Sequence, residues 1–578
     1  MKRLLLLFAA ILMASTGLWA ETVDYLYTVY NTDGVPTSGI KEWKTASVDA
    51  TVVENAATPV TWGTAGTETW YVVKGSDVTL SQGAICNGDV HLILADGAKL
   101  TAQGKSGKPG IQVSDEGNYS LTIYGQTYQT GLLIATGEDG AAGIGGGSNG
   151  SGSNITINGG KVEATGGEDG AGIGGGKNGP GSNITINGGK VEATGGQNGG
   201  GIGGGYGGSG SNITINGGKV TANAGKYTAP TDDYSEGHGG TGIGGGNGGY
   251  GSNITINGGK VTATGERGGA GIGGGEISSG TNITINGGEV TANGGLLGGA
   301  GIGSGHDLFY GEVTCSGIAI NGGKVTATGG YGAAGIGGGN GVSGSNVTIN
   351  GGEIETVGGE NGAGIGGGYG GSGSGITING GEIETVGGEN GAGIGGGPGG
   401  DGSNITINGG EVTAIGGNDG YGIGNDKSND IKVANDLIVK AGASETLANT
   451  DIVVHTSIQD IATKLVGKQY VTIEIDFVQY KTAAIDAIKA EISETDNEPI
   501  KAIATNAEAV INAATSIESI NAVKAQAIAA IAYAKAAYSS AFGPLGEQQN
   551  GPAIEVIKDG ERIILYRPDR VNFIRANN

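Results

Sequence analysis

Little in this chain can cross-link, kink or ligate: its 578 residues include two cysteines, ten prolines and four histidines. Two thiols, Cys86 and Cys315, are too few for a disulfide framework. His91, His238, His306 and His455 fall at no metal-ligand spacing and in no nucleophile triad, so the usual parts of zinc-dependent and serine-type hydrolysis are missing. Cations are scarce as well. Lysine and arginine number 31 against 55 acids, a formal net charge of −24. Nucleic acid and anionic lipid need clustered basic residues, so neither is expected as a partner. Divalent cations, basic partners and neutral glycans stay compatible with such a surface, which also favours solubility. Beyond the first twenty residues no run reaches about 18 apolar residues, so no membrane span is expected.

Residues 1–20 read as a secretory signal: Lys2 and Arg3, an apolar run over 4–13, then small residues ending at Ala20. No cysteine lies near that site to carry a lipid anchor. The expectation is an exported chain, extracellular or on the outer cell surface.

Glycine is abundant instead, with 130 residues, and it is ordered. Over residues 143–425 the chain repeats G-I-G-G-G, a short polar gap, N-I-T-I-N-G-G and K/E-V-x-A. The isoleucine before each Asn-Gly-Gly falls at Ile157, Ile186, Ile215, Ile256, Ile285, Ile320, Ile349, Ile378 and Ile407. Six of the eight spacings are 29 residues, and the other two are 41 and 35. A fixed period of this length means a solenoid, whose units bury a core only by stacking. Degenerate copies around Ile93 and Ile123 extend the series backwards.

Within a unit, period-two alternation turns Ile155 and Ile157 inward and Asn154, Thr156 and Asn158 outward. Asn-Gly-Gly supplies residues comfortable at positive φ and so a sharp corner. Val162 and Ala164 point inward from the next strand, and Ile173 is the third apolar point. Three short strands and three corners close one coil. The fold expected is mainly β: a parallel, right-handed β-helix of eleven or more coils, about 50 Å long at roughly 4.8 Å per coil. Cys86 and Cys315 then lie about 34 Å apart on that rise, beyond disulfide reach. Asn158, Asn187, Asn216, Asn257, Asn286, Asn321, Asn350, Asn379 and Asn408 form one column, expected to be a structural asparagine ladder.

Residues 21–69, with Tyr25, Tyr27, Tyr30, Trp43 and Trp62, suggest an N-terminal β cap, followed by the glycine-rich coils over 70–424 and terminal coils with a cap over 425–478. Composition changes at Tyr480. Residues 479–542 carry helical periodicity through Ala483, Ile485, Ile488 and Ile492, then Ile503, Val510 and Ile511, then Ile520, Val523, Ile528 and Ile531. Asn497-Glu498-Pro499 restarts a helix and Thr515-x-x-Glu518 is a capping box, so a small three-helix bundle is expected. A linker over 543–553 leads to a β-hairpin module over 554–578 with an Asp559-Gly560 turn.

Trp70-Tyr71-Val72-Val73, His91-Leu92-Ile93-Leu94-Ala95-Asp96-Gly97, Leu121-Thr122-Ile123-Tyr124-Gly125 and the A-G-I-G-G-G/I-T-I-N-G-G array together resemble a group of secreted, Gly-rich repeat proteins of host-associated bacteria. That resemblance implies β-helices of adhesin-like or carbohydrate-binding type. The helical segment is similar to three-helix spacer repeats of bacterial surface proteins, and residues 554–574 resemble a short β module ending many Bacteroidetes exported proteins, which implies a sorting or attachment element.

The candidate chemistry is sparse. A dinucleotide site needs a strand, one Gly-rich turn and a helix, and has no use for G-I-G-G-G at a fixed period. Glu163 and Glu192 stack, as do Glu355 and Glu384, while position 161 carries Lys161, Lys190, Lys219 and Lys260, then Glu289, Glu353, Glu382 and Glu411 with Lys324 interrupting. Such periodic decoration lacks the single non-repeating constellation catalysis needs, so no enzyme and no cofactor are expected. Acidic turns at Glu138-Asp139, Glu168-Asp169, Glu360-Asn361, Glu389-Asn390 and Asn418-Asp419 offer Ca²⁺ a weak opening, without the nonapeptide calcium repeat. The threonine column from Thr156 lacks the regular second column of an ice-binding face, and the N-I-T sequons recur simply because the strand does.

Breaks in the period are the better leads, since insertions in solenoids map to surface loops that bind. One offers Tyr227, Asp232, Asp233 and Tyr234; the other offers His306, Asp307, Phe309 and Tyr310. Aromatics beside acids suit a sugar ring and its hydroxyls. The leading expectation is therefore a surface or secreted binding protein, adhesin-like, with glycan or a cell-surface component as partner. A purely structural envelope spacer is the alternative, and a polysaccharide lyase or hydrolase the least favoured reading.

Overall fold

The structure, a computed structural model, describes residues 20–29, 42–113, 117–226, 239–307, 313–424, 430–434, 437–444, 452–455, 459–460, 462–514, 517–542, 554–558 and 561–565. It separates into two compact units, 1–474 and 475–578. The secretory-signal expectation falls almost wholly on residues 1–19, outside the described residues.

The first unit is a three-sided parallel β-helix. Among the described residues its strands form sheets of 16, 15 and 12 members. One coil runs from Gly181–Ile186 in the first sheet to Lys190–Thr194 in the second and Ile202–Gly203 in the third. The next coil repeats it in register: Ile184 pairs with Ile213, Val191 with Val220 and Ile202 with Ile243. Ile184, Ile186, Val191, Ala193 and Ile202 are fully buried and make that coil's share of the interior. Each large one stabilises the stack by roughly 1.5–3 kcal/mol.

The asparagine column is hydrogen bonded along its length. Each Nδ2 donates to the Oδ1 one coil earlier, from Asn187 to Asn158 at 2.8 Å through Asn286 to Asn257 at 2.7 Å to Asn408 to Asn379 at 2.8 Å. The column continues one coil further back as Tyr124, whose hydroxyl hydrogen bonds with Asn158 and lies 3.0 Å from His91 Nδ1.

Two local features sharpen the expectation. Asn154 lies within the strand Gly152–Ile157 but as a left-handed rung: its φ is 58°, and pairing skips from Ser153–Ser182 to Ile155–Ile184. A left-handed residue has to be Asn or Gly to avoid strain, and the other coils comply with Asn183, Asn212, Asn253 and Asn282, or with Gly317 and Gly375. At the Asn-Gly-Gly corner only the second glycine has positive φ, as at Gly189 (82°). The asparagine stays out of the left-handed region because its amide serves the ladder.

The ends also differ from the sequence reading. Coil stacking begins before residue 70: Val60–Trp62 pairs in parallel with Ala84–Cys86, and Trp62 is only 2% exposed. The cap proper is the antiparallel pair Ala20–Val29 and Glu42–Val52, and the second of these pairs in parallel with Glu68–Val73. At the far end Tyr470–Ile475 lies antiparallel to Glu411–Ile415, and Gln459–Asp460 antiparallel to Ile431–Val433. Reversed strands stop the parallel register from propagating, which protects an otherwise open edge. Cys86 and Cys315 are both free and buried, in different sheets.

The second unit contains helices Phe477–Ala490, Glu498–Ala513 and Ile517–Phe542 and a separate hairpin, Ile554–Lys558 with Glu561–Leu565. Asp476 caps the first helix by accepting from Gln479 N at 3.0 Å, and Asn497 caps the second by accepting from Ile500 N at 3.1 Å. Their core gathers Ile485, Ile488, Ile500, Ile511, Ile520 and Ile531. Ala484 rather than Ala483 turns inward, and Val510 is 53% exposed, because the inward stripe passes through Ala504, Ala507 and Ile511. The capping box at Thr515 lies partly outside the described residues.

Candidate functional site

Outward-facing positions of the first sheet repeat almost unchanged from coil to coil, and those of the second draw on a short set, Lys or Glu, then Glu or Thr, then Thr, Asn, Val or Ile. The widest variation of side-chain type lies where the chain turns into and out of the third sheet. Four residues after each third-sheet isoleucine stand Lys177, Tyr206, Asn247, Glu276, His306, Asn340 and Tyr369; four residues before it stand Asp169, Asn198, Gly239, Gly268, Gly298, Gly332 and Asn361. The backbone holds the two rows against each other. Glu276 N donates to Gly239 O at 2.9 Å, His306 N to Gly268 O at 2.8 Å and Asn340 N to Gly298 O at 2.8 Å.

Toward either end of this edge most side chains satisfy one another, with Asn198 Oδ1 left without a partner among the described residues. Asp169 accepts from Lys177 at 2.8 Å and from the Asn198 amide, and Lys177 Nζ sits 5.7 Å from the Tyr206 ring centre. Asn390 donates to Asn361 at 2.6 Å. These contacts occupy three of the acidic turns considered for Ca²⁺, those of Asp169, Asn361 and Asn390. Among the described residues no group of three or more His, Cys, Asp or Glu is placed to hold a metal ion.

The middle is different. Gly268 and Gly298 leave room into which the opposing row folds. A Cβ on Gly268 would lie 2.7 Å from the Glu276 carboxyl carbon; one on Gly298 would lie 2.8 Å from Asn340 Cβ and 3.2 Å from His306 Cγ. Glu276 is 1% exposed, and Glu276 Oε2, His306 Nδ1 and Asn340 Oδ1 have no hydrogen-bond partner among the described residues. Such groups are costly unless something satisfies them. Burial pushes the Glu276 carboxyl up to about 7 against the opposing pull of Arg267, and burial lowers His306 against Asp307. Burial thus disfavours the charged form of both Glu276 and His306 at the centre of the edge.

Backbone strain marks the same coil. Arg267 has φ 47° and Ile277 φ 57°. Ile277 occupies the position where neighbouring coils place Asn178, Gly207, Gly248 or Gly341, all left-handed. A β-branched residue there costs about 1–3 kcal/mol and draws attention to the coil that tolerates it.

Tyr227, Asp232, Asp233 and Tyr234 lie outside the described residues, as do Phe309 and Tyr310. The chain around them is informative. The first interruption joins Lys226 to Gly239 in the coil of Ile243; the second joins Asp307 to Val313 in the coil of Ile302. Both therefore leave the same edge, from coils on either side of the one carrying Arg267 and Glu276. His306 and Asp307 join that group, and Asp307 is only 2% exposed. Arg267, Glu276 and Asn340 escaped the sequence reading. A signal existed, because Glu276 is the one acid directly after a G-I-G-G-G run.

Eight segments, residues 155–177, 184–206, 254–276, 283–306, 318–340, 347–369, 376–398 and 405–426, match a family model described as a Beta helix repeat. Each runs from a first-sheet strand to the turn that carries the variable residue, so the matched unit is the coil itself. No curated protein and no solved structure matches the chain.

Proposed function

We propose that this chain is a non-enzymatic binding β-helix, exported and surface-displayed or secreted, which takes carbohydrate on the variable edge beside its third sheet. One observation carries the reading: the non-repeating polar groups, the strained backbone and both interruptions converge on four adjacent coils, those of Ile243, Ile272, Ile302 and Ile336. Buried polar atoms without partners, Glu276 Oε2, His306 Nδ1 and Asn340 Oδ1, suit sugar hydroxyls, which both donate and accept. Tyr331, 52% exposed, and Tyr369, 44% exposed, stand on the same edge with ring faces available to a pyranose. The resemblance to adhesin-like repeat proteins, and of the C-terminal hairpin to an attachment module, points the same way.

A glycan array on the full chain tests it, followed by titration calorimetry with Tyr331→Ala and Asn340→Ala. At least one glycan class should bind, and each substitution should weaken it about tenfold, the loss of one or two buried contacts. Silence across the array, or affinity indifferent to both substitutions, would sink the proposal.

The continuous asparagine ladder favours a second reading, a passive stalk. On that reading edge variants alter nothing measurable, and only ladder variants change the protein.

A further inference from the structure

The outer face of the second sheet carries an ordered charge sequence that the binding edge does not explain. Its first column reads Lys161, Lys190, Lys219, Lys260, Glu289, Lys324, Glu353, Glu382 and Glu411, all exposed and all in one-to-one register from coil to coil. Over the eight coils from Lys190 to Glu411 the order is identical when reversed with every sign changed. Within the chain Lys260 contacts Glu289, and Lys324 contacts Glu353, so the central charges are already neutralised. Among the described residues Lys219, Glu382 and Glu411 have no ion-pair partner. Lys190 contacts Glu192 at 2.5 Å, so the excess positive charge of the basic half centres on Lys219; like charges stacked one coil apart repel, and the acidic half carries Glu382 and Glu411 in excess.

We propose that this face is the interface of an antiparallel homodimer. A two-fold axis along the strand direction, between the Glu289 and Lys324 coils, lays one second sheet on the other with the coil order reversed. Lys190 then meets Glu411 of the second copy, Lys219 meets Glu382, Lys260 meets Glu353 and Glu289 meets Lys324. Symmetry repeats each pair, so eight opposite-charge contacts form and no like-charge contact does. Equal coil rise in both copies keeps the match along the whole face. The next outward column supports it: Glu384 faces Thr221, Glu355 faces Thr262 and Glu192 faces Thr413. Exposed Val357, in the third column, is covered against Thr264. Five residues by eight coils give about 600 Å² per copy, near the low end of a specific interface. A second copy is the occupant because the charge order is complementary to itself.

Sedimentation equilibrium of the full chain tests the proposal, with Lys219→Glu, Glu382→Lys and the double variant. At low ionic strength the chain should be a dimer that weakens at least tenfold in about 1 M NaCl, where screening reaches about 3 Å. Each single reversal places two like-charge contacts in the dimer and should weaken it at least tenfold. The double variant restores the opposite signs and should return to within about threefold of the parent. Circular dichroism identical to the parent establishes that the variants are folded, and the rescue itself distinguishes pairing from damage. A parent that is monomeric at low salt, a dimer indifferent to the single reversals, or a double variant no better than the singles would each overturn the proposal. None of these outcomes depends on carbohydrate binding.

Discussion

The second sheet and the edge beside the third sheet are built on the same backbone period, yet they use it in opposite ways. On the sheet, each residue repeats because its neighbour one coil away repeats: Val191 pairs with Val220 and Ala193 with Ala222, and a substitution is felt on both sides. On the edge, the backbone of Glu276, His306 and Asn340 is fixed by cross-coil hydrogen bonds, while their side chains differ in size, charge and chemistry. Backbone register is therefore enough to keep the solenoid regular. Side-chain identity is constrained where it fills the interior or a ladder and released where it does not. Released positions are where a binding function can be written without cost to the stack, and the central edge is the place where unsatisfied polar groups have collected.

The sharpest way to break this comparison is to place the same substitution in both regions. A Cβ on Gly174 would lie 2.0 Å from the carbonyl oxygen of Gly203, a backbone wall that cannot move. Gly174→Ala should cost about 4 kcal/mol or more and open the neighbouring coils, seen as local loss of hydrogen-exchange protection. Gly268→Ala meets the Glu276 side chain first, a side chain and not a backbone wall. It should leave protection intact while displacing Glu276 and weakening any ligand of the edge. Equal damage from both would mean that the edge is as constrained as the sheets.

The next effect is electrostatic. Glu276 sits at about 7 in the folded chain against an ordinary 4.5, so the folded state holds its proton more tightly than the unfolded chain. Stability from this group is fully present below about pH 4.5, falls as pH rises toward 7 and is lost above it, a change of about 3 kcal/mol. Melting curves between pH 5 and pH 8, with Glu276→Gln as the variant in which this fall vanishes, check the sign and the assignment together.

Smaller still is the ladder. Asn257→Ala leaves Asn216 Oδ1 without its donor and Asn286 Nδ2 without its acceptor, for an expected loss of about 1–3 kcal/mol by chemical denaturation. The reverse sign is expected at the strained position. Ile277→Asn restores the residue that left-handed positions prefer and should stabilise the chain by about 1 kcal/mol. A destabilising result there would show that the Ile277 side chain contributes more by packing than its backbone loses by strain.

Much of the fold was legible because its determinants are local and repeated. The inward turn of Ile155 and Ile157, the corner after Asn158 and the spacing of the asparagine column all follow from alternation and glycine placement within one period. The left-handed rung at Asn154 was not legible because asparagine is ordinary on an outward strand position, and only pairing across coils reveals the skipped rung. Val510 was misplaced because two adjacent apolar residues of one helix cannot both face a narrow core, and Ile511 took the place. The candidate site was legible in part. His306 stood beside a break in the period, whereas Glu276 and Asn340 sit in coils whose length is regular and whose departure is a single residue.

Sequence alone determined the coil, its three inward points and the polar columns, since a backbone repeating every 29 residues can bury its isoleucines only by stacking. Tertiary structure alone decided which distant residues meet. Arg267, Glu276, His306 and Asn340 are spread over more than seventy positions, and they become neighbours because each coil advances the chain by roughly 4.8 Å while consuming a whole period of sequence. The same compression sets Lys219 and Glu382 on one straight column, at the two ends of a charge order that no local reading of the repeat contains.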